Sequence, residues 1–290
     1  MRSNTAAKLN GRSWIHRAKQ VGAQVGLNTL AAGGAVAMAL PFIWMLSTSF
    51  KPEAEVFRFP PRFIPESITI ANYVSLFSRL NFTRYFVNTS LVAISITAMG
   101  LFINSLAGYA FAKIRFMGRD RLFVAILATM MVPGSVTVIP AFLLIKSLGM
   151  VNTYAGLILP GLASAFGIFL MRQFISTIPD ELIEAAQIDG ASEFWIFAHI
   201  ILPLAKPALA TLGLFTFMGS WNNFFWPLII ATDERMYTLP VAIAVLSGQH
   251  GGEFALQMAG ATVVVMPILA IFLLLQRYYV SGIALTGMKG

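Results

Sequence analysis

Five of the chain's twelve carboxylates lie between positions 180 and 193: Asp180, Glu181, Glu184, Asp189 and Glu193. No lysine or arginine interrupts the stretch from Gln173 to Ala205. Clustered carboxylates can work as acid and base, hold a metal, or meet arginines of another protein through charge-assisted hydrogen bonds. The first two uses lack supporting residues. The three histidines, His16, His199 and His250, form no pair at metal-ligand spacing, and there is no cysteine. We therefore expect no catalytic residues and no metal site. A second group lies in SWNNFFWPL at 220–228, where Asn222 and Asn223 sit among Trp221, Phe224, Phe225 and Trp226. Rings stack on the apolar faces of sugars and amides bond hydroxyls, but tryptophans also anchor at bilayer interfaces. Spacing favours the interface for Trp226 and leaves Asn222 and Asn223 open. Trp221, Asn222, Asn223 and Phe224 are the candidates for contact with a polar solute.

The acidic stretch must be held by helices. Pro179 suits a helix start, and Asp180 and Glu181 in the first turn complement the helix dipole. Leu182, Ile183, Ala185, Ala186 and Ile188 read as one apolar stripe. Gly190 permits a turn, and a second short helix carrying Phe194, Trp195 and Phe197 ends near Pro203. Helix, glycine, helix with an acidic face is a docking shape. An interfacial helix lying on lipid would favour lysine and arginine on its polar face, so a protein partner is the better match.

The rest of the chain is apolar. Of 290 residues, 57% are hydrophobic and 11% charged, against about one-quarter charged in soluble domains. Charge-free runs cover 20–50, 85–112, 122–145, 147–171, 207–232 and 254–276. Each holds the roughly 20 residues needed to cross the hydrocarbon as a helix, and none alternates as a barrel strand does. The expectation is an all-α polytopic membrane protein with six transmembrane helices. Residues 1–25 form an arm, and 26–290 form one membrane domain containing the acidic loop at about 173–206.

The net charge of +8 follows the helix ends instead of lining one face, which argues for topology and against nucleic acid. With the N-terminus inside, thirteen basic residues fall on the cytoplasmic side and seven outside. Both termini and the acidic loop are then cytoplasmic.

Taken in order, the first span holds Pro41. The outer segment 51–84 contains Pro52, Pro60, Pro61 and Pro65, and reads equally as a stiff connector or as a surface for an external partner. Asn88, Gly100, Asn104, Ser105, Gly108 and Tyr109 in the second span suit close helix packing. Pro133-Gly134 and Pro160-Gly161 predict bends in the third and fourth spans. No predicted span contains Asp, Glu, Lys or Arg, which excludes a carboxylate relay for ion coupling. The phosphate-cradling pattern G-x-x-x-x-G-K-[ST] is also missing, so energy for any active transport must come from elsewhere.

At this point a resemblance becomes specific. Glu184-Ala185-Ala186, Gly190, Ile200 and Leu202-Pro203 match every position of the signature loop of permease subunits in binding-protein-dependent ABC importers. IDGAS at 188–192, AGYAFAKIRFMG at 107–118, Ile139-Pro140, the WN and PL pairs within 221–228 and the terminal MKG are similar to the MalG-type branch, which serves carbohydrates. The similarity runs from about residue 40 to the end.

The resemblance implies an ABC importer permease fold whose loop is a coupling helix seated in a cleft of a cytoplasmic ATPase. Glu184, Ala185, Ala186, Asp189 and Gly190 would make that contact, with Gly190 shaping the turn. It further implies a MalF-like second permease subunit, two ATPase subunits and an extracytoplasmic solute-binding protein, in a bacterial or archaeal plasma membrane. ATP and magnesium would be used by the ATPases, and no cofactor is expected on this chain. The tail Gly287–Gly290 could also reach the ATPase pair. Glycerol-phosphate and other polyol importers share the pattern. A self-sufficient secondary carrier and an intramembrane enzyme fit less well, for want of intramembrane charge and of a catalytic set.

Overall fold

The computed structural model of the chain describes residues 4–79, 81–249 and 252–286, with side chains described at 22–78, 81–246, 248 and 252–274. The tail Gly287–Gly290 and the first three residues of the arm lie outside the described residues. In chain order the helices are α1 (Asn4–Ser49), α2 (Glu53–Val56), α3 (Ala71–Arg79), α4 (Phe82–Lys113) and α5 (Arg119–Thr129). There follow α6 (Gly134–Ser147), α7 (Tyr154–Ile158), α8 (Ala165–Ile175), α9 (Glu181–Ile188) and α10 (Glu193–Ile196). The series ends with α11 (Leu202–Leu204), α12 (Lys206–Trp221), α13 (Phe225–Ile230), α14 (Leu239–Gln249) and α15 (Phe254–Thr286). No strand occurs among the described residues, and the all-α class holds.

Three stretches are long and apolar enough to cross a bilayer unaided: Gly22–Ser49, Phe82–Lys113 and Phe254–Leu274. Three bent pairs complete six if each is one crossing. The pair α5 and α6 turns by 102° at Met130 to Pro133, and Tyr154–Gly161 with α8 turns by 43°. Both bends fall beside the predicted proline–glycine pairs. Proline has no N–H to give the helix and its ring crowds the preceding turn, so the path breaks at or just before it.

The third pair corrects an expectation. The run 207–232 does not form one helix: α12 stops at Trp221, and the chain resumes as the short α13. Residues 222–224 break it because asparagine side chains compete for backbone partners. Asn223 Oδ1 accepts the Trp226 amide at 3.3 Å, and Pro227 next along has no amide to give. At its other end α12 follows Glu193–Leu204 across a bend of 82°.

The chain forms two compact units. One takes in the chain up to Tyr73 together with Phe254–Thr262. Within it, Glu53 supplies both carboxylate oxygens to the first amides of α15, Phe254 at 2.8 Å and Ala255 at 2.9 Å. Lys51 is buried, with its ammonium on the Arg62 carbonyl at 2.6 Å and over the Trp44 ring at 4.3 Å.

The other unit, Val74–Glu253 with the remainder of the chain, is built on α4, against which α8 and α12 pack. Small residues set the closeness of the first contact. A Cβ at Gly108 would stand 2.6 Å from Met171 Cβ and 2.9 Å from the Arg172 amide nitrogen. Buried amides tie the same helices across their breaks. Asn104 donates to the Gly100 and Leu162 carbonyls at 2.6 and 3.1 Å and accepts the Ser164 amide at 2.9 Å. Asn88 donates to the Arg235 and Tyr237 carbonyls and accepts the Tyr154 hydroxyl. Packing is the role expected of these residues, and it is the role they have.

Candidate docking helix and solute-facing residues

The acidic loop is held from three directions. At its start, Lys113 at the end of α4 donates to the Ile178 carbonyl and to Asp180 Oδ1, each at 2.5 Å. The hydrogen bond from Lys113, then its charge, hold the Asp180 carboxyl below the usual carboxylate range, with a smaller contribution from Arg115. Asp180 is the first residue before α9, where a negative charge also meets the helix dipole.

Beneath α9, Ile183 and Ala186 enter a core with Tyr109, Met171, Ile175, Ile196, Phe197 and Ile201. This differs from the single apolar stripe expected. Leu182 and Ile188 lie outward, Ile188 being 86% exposed. At about 100° per residue, 183 and 186 share one face while 182, 185 and 189 share another. The outward apolar residues are thus interleaved with the carboxylates.

At its end, α9 closes in a left-handed cap. Gly190 has φ +83°, its amide bonds the Gln187 carbonyl at 3.0 Å, and the Ala191 amide bonds the Ala186 carbonyl at 2.9 Å. This pair of bonds satisfies the orphan carbonyls of the last turn, and φ > 0 is why glycine stands there. Ser192 then accepts the Trp195 amide and starts α10.

The five carboxylates divide by use. Asp180 is taken by Lys113, and Glu193 accepts the Tyr109 hydroxyl at 2.6 Å and the Gln187 amide at 2.8 Å. Glu181, Glu184 and Asp189 are exposed and have no hydrogen-bond or ion-pair partner among the described residues. Of the three, Asp189 borders a groove of about 730 Å³ together with Ala185, Ala186 and Gly190, and the groove also takes in Leu182 and Trp195. Lys113 was not singled out, and Tyr109 was read only as a packing residue, because nothing in their own neighbourhood in sequence points 67 or 84 positions ahead.

The residues picked for solute contact part company. Trp221 is 2% exposed, with its indole N–H on the Val264 carbonyl at 3.0 Å and its ring against Phe217 and Phe86. Asn222 donates to the Met218 carbonyl at 3.0 Å. Asn222, Asn223 and Phe224 are exposed. Trp226 is half-buried, and its indole bonds the Gly156 carbonyl at 3.0 Å, which ties α13 to α7. Asn223 also borders a largely apolar cavity whose polar lining is completed by Asn104, Ser164, Thr216 and Ser220. The last three were not singled out, although Thr216 and Ser220 recur at helical spacing on one face of α12.

A polytopic helical protein with broken spans and an outward acidic helix anchored in its own core is, as a class, an integral membrane protein. Residues 100–284 match the family described as the binding-protein-dependent transport system inner membrane component. The chain is 34% identical over 253 residues to the arabinooligosaccharides transport system permease protein AraQ of Halalkalibacterium halodurans, covering 86% of this chain and 91% of that one. It is 36% identical over 266 residues to the trehalose/maltose transport system permease protein MalG of Thermococcus litoralis, covering 89% and 95%. Against the sn-glycerol-3-phosphate transport system permease protein UgpE of Rhizobium meliloti it is 33% identical over 262 residues, covering 87% and 93%. A crystal structure of a bacterial ABC transporter involved in import of the acidic polysaccharide alginate has a chain that superposes with TM-score 0.79 at 25% identity, covering 91% of this chain and 98% of that one. The chain belongs to the permease subunits of binding-protein-dependent ABC importers, in the MalG-type carbohydrate-uptake family.

Proposed function

We propose that the chain forms half of the translocation pathway of an ATP-driven importer for a sugar or oligosaccharide, working beside a second, MalF-like permease subunit. The observation that carries this is the set of carboxylates Glu181, Glu184 and Asp189, without partners among the described residues, on and just after a helix whose start is tethered by Lys113, whose last carbonyls are capped and whose buried face packs in the chain's own core. In this reading Glu184, Ala185, Ala186, Asp189 and Gly190 seat in a cytoplasmic ATPase, and Glu184 meets an arginine there. Two ATPase subunits bind ATP and magnesium, an extracytoplasmic solute-binding protein delivers the solute, and this chain is a non-catalytic part of the cycle. ATP binding draws the ATPases together, moves α9 and its core, and opens the pathway outward; hydrolysis resets it.

The excess of basic residues on the loop side supports cytoplasmic termini, in a bacterial or archaeal plasma membrane. Residues 26–290 serve as one permease domain behind the arm 1–25. Asn222, Asn223 and Phe224 face the pathway, with Trp221 behind them as support. A glycerol-phosphate or other polyol cargo is the second reading, drawn from the Rhizobium meliloti relative.

Mild detergent extraction and affinity purification of the chain with its partners tests the proposal. An ATPase and a second permease should be retained, and hydrolysis should rise when loaded solute-binding protein is added. Retention of no ATP-hydrolysing subunit under conditions that preserve the membrane complex would overturn it.

A further inference from the structure

We infer that the cavity walled by α4, α8 and α12 is a subsite for one neutral, hydroxyl-bearing ring of the cargo, an inference that rests on the importer function proposed above. The cavity measures about 280 Å³ and is bordered by Asn104, Ser164, Thr216, Ser220 and Asn223, with Phe166 and Phe215 beside them. That is room for a ring-sized solute, since one water occupies only about 30 Å³ of liquid. Ser164 belongs to the break before α8, and Asn223 to the break after α12. Non-helical backbone at membrane depth is tolerated where it lines a cavity, so the two breaks meet where a polar solute has reason to be.

The polar groups show which are spent and which remain. Asn104 is fully used within the chain and acts as a pin. The Asn223 carbonyl is taken by Trp226, while its amide NH₂ has no acceptor among the described residues. Ser164 accepts the Gly167 amide at 2.8 Å, and its hydroxyl hydrogen has no acceptor among them. Hydroxyls inside helices ordinarily donate to the carbonyl four residues back, as Thr89, Thr97 and Thr211 do here. Thr216 and Ser220 do not, and the Ser220 hydroxyl is buried without a partner among the described residues. Donors left over at a membrane-depth cavity match a ligand rich in hydroxyl oxygens.

Charge narrows the class. Among the described residues, no Asp, Glu, Lys, Arg or His borders the cavity. Transfer of a phosphate or carboxylate into such a site without a cation is strongly unfavourable. This wall therefore selects a neutral sugar ring over a phosphorylated or uronic unit.

The chain has no cysteine, so single thiols can be placed cleanly. Thr216→Cys and Asn223→Cys are introduced separately into the complete complex in lipid nanodiscs. Each is reacted with neutral hydroxyethyl methanethiosulfonate and with its anionic sulfonatoethyl analogue. Exposed Ser176→Cys serves as the reference. Relative to that reference, the neutral reagent should be favoured by about tenfold at both cavity positions, reflecting the cost of an uncompensated anion. Lactose, maltose, trehalose or arabinotriose, whichever stimulates hydrolysis, should slow the cavity thiols but not the reference. sn-Glycerol 3-phosphate should leave all three unchanged. Unreactive cavity thiols, equal rates with both reagents, or protection by the phosphate alone would each overturn the subsite. Failure of the importer function shows separately, as absence of a co-purifying ATPase, and leaves the reagent ratios readable.

Discussion

Lys113 and Asp180 are 67 positions apart, and the lysine reaches both the carboxylate and the Ile178 carbonyl at 2.5 Å. The Lys113 side chain is 7% exposed and that of Asp180 70%, so the lysine is the structural half of the pair. It fastens the start of the acidic helix α9 to the end of the membrane-spanning α4.

Replacing it should loosen that junction. Lys113→Met keeps the aliphatic stem and removes both donations. Hydrogen exchange at the amides of α9 should speed up by about tenfold, the worth of one charged hydrogen bond. The acid limb follows from the lowered Asp180 carboxyl. A carboxylate depressed in the folded state contributes fully above its unfolded value, near 3.9, and its contribution is lost as pH falls through the folded value. The tether should hold throughout the neutral range and slacken only in acid. Carboxyl-carbon NMR of the solubilised chain should show Asp180 titrating below the ordinary range, and returning to it in Lys113→Met.

Gly190 carries a different kind of constraint. No described residue lies within 4 Å of where its Cβ would be, yet its φ is +83°. Gly190→Ala should therefore cost about 1 kcal/mol through the backbone alone. Gly190→Asn should cost less, because asparagine tolerates the left-handed region. Thermal unfolding in detergent would rank the three, and equal midpoints would show that the cap is not left-handed in the working protein.

Gly108 is the converse case, with ordinary backbone and no space. Gly108→Ala puts a methyl group within 3 Å of Met171 Cβ and the Arg172 backbone, and should destabilise by about 1–3 kcal/mol. Gly213 has as its nearest neighbour Leu101 Cδ1 at 3.4 Å, the end of a side chain that can move. Gly213→Ala should be tolerated within about 0.5 kcal/mol. Crosslinking between the α4 and α8 faces should fall in the first variant and persist in the second.

These comparisons show what could be seen from the residues alone. The bends near Pro133 and Pro160 were legible because a missing N–H and a fixed φ are local facts. The acidic helix α9 and its glycine cap were legible because its charges, its glycine and its signature spacing lie in one stretch. The division of its carboxylates was not: Asp180 and Glu193 look as free as Glu184 until Lys113 and Tyr109 arrive from α4. The break at 222–224 was missed because an apolar run hides two amides that each find a nearby backbone partner. The cavity belongs to three helices at once, so no window of sequence contains it.

The division gives the sharpest test of coupling, because two glutamates in one loop should behave oppositely. Glu184 has no partner among the described residues, so Glu184→Ala should change stability by no more than about 0.5 kcal/mol. Glu184→Lys, which reverses the charge offered to an ATPase arginine, should sharply reduce uptake while ATP hydrolysis continues. Glu193→Ala strips the acceptor from Tyr109 and Gln187 and should cost about 1–2 kcal/mol. Its uptake should fall only in proportion to the folded fraction. Paired measurements of unfolding midpoint, hydrolysis and uptake in proteoliposomes separate docking from positioning. Full uptake in Glu184→Lys would remove this residue from the coupling surface. A stable but uncoupled Glu193→Ala would move the contact to the far end of the loop, onto α10.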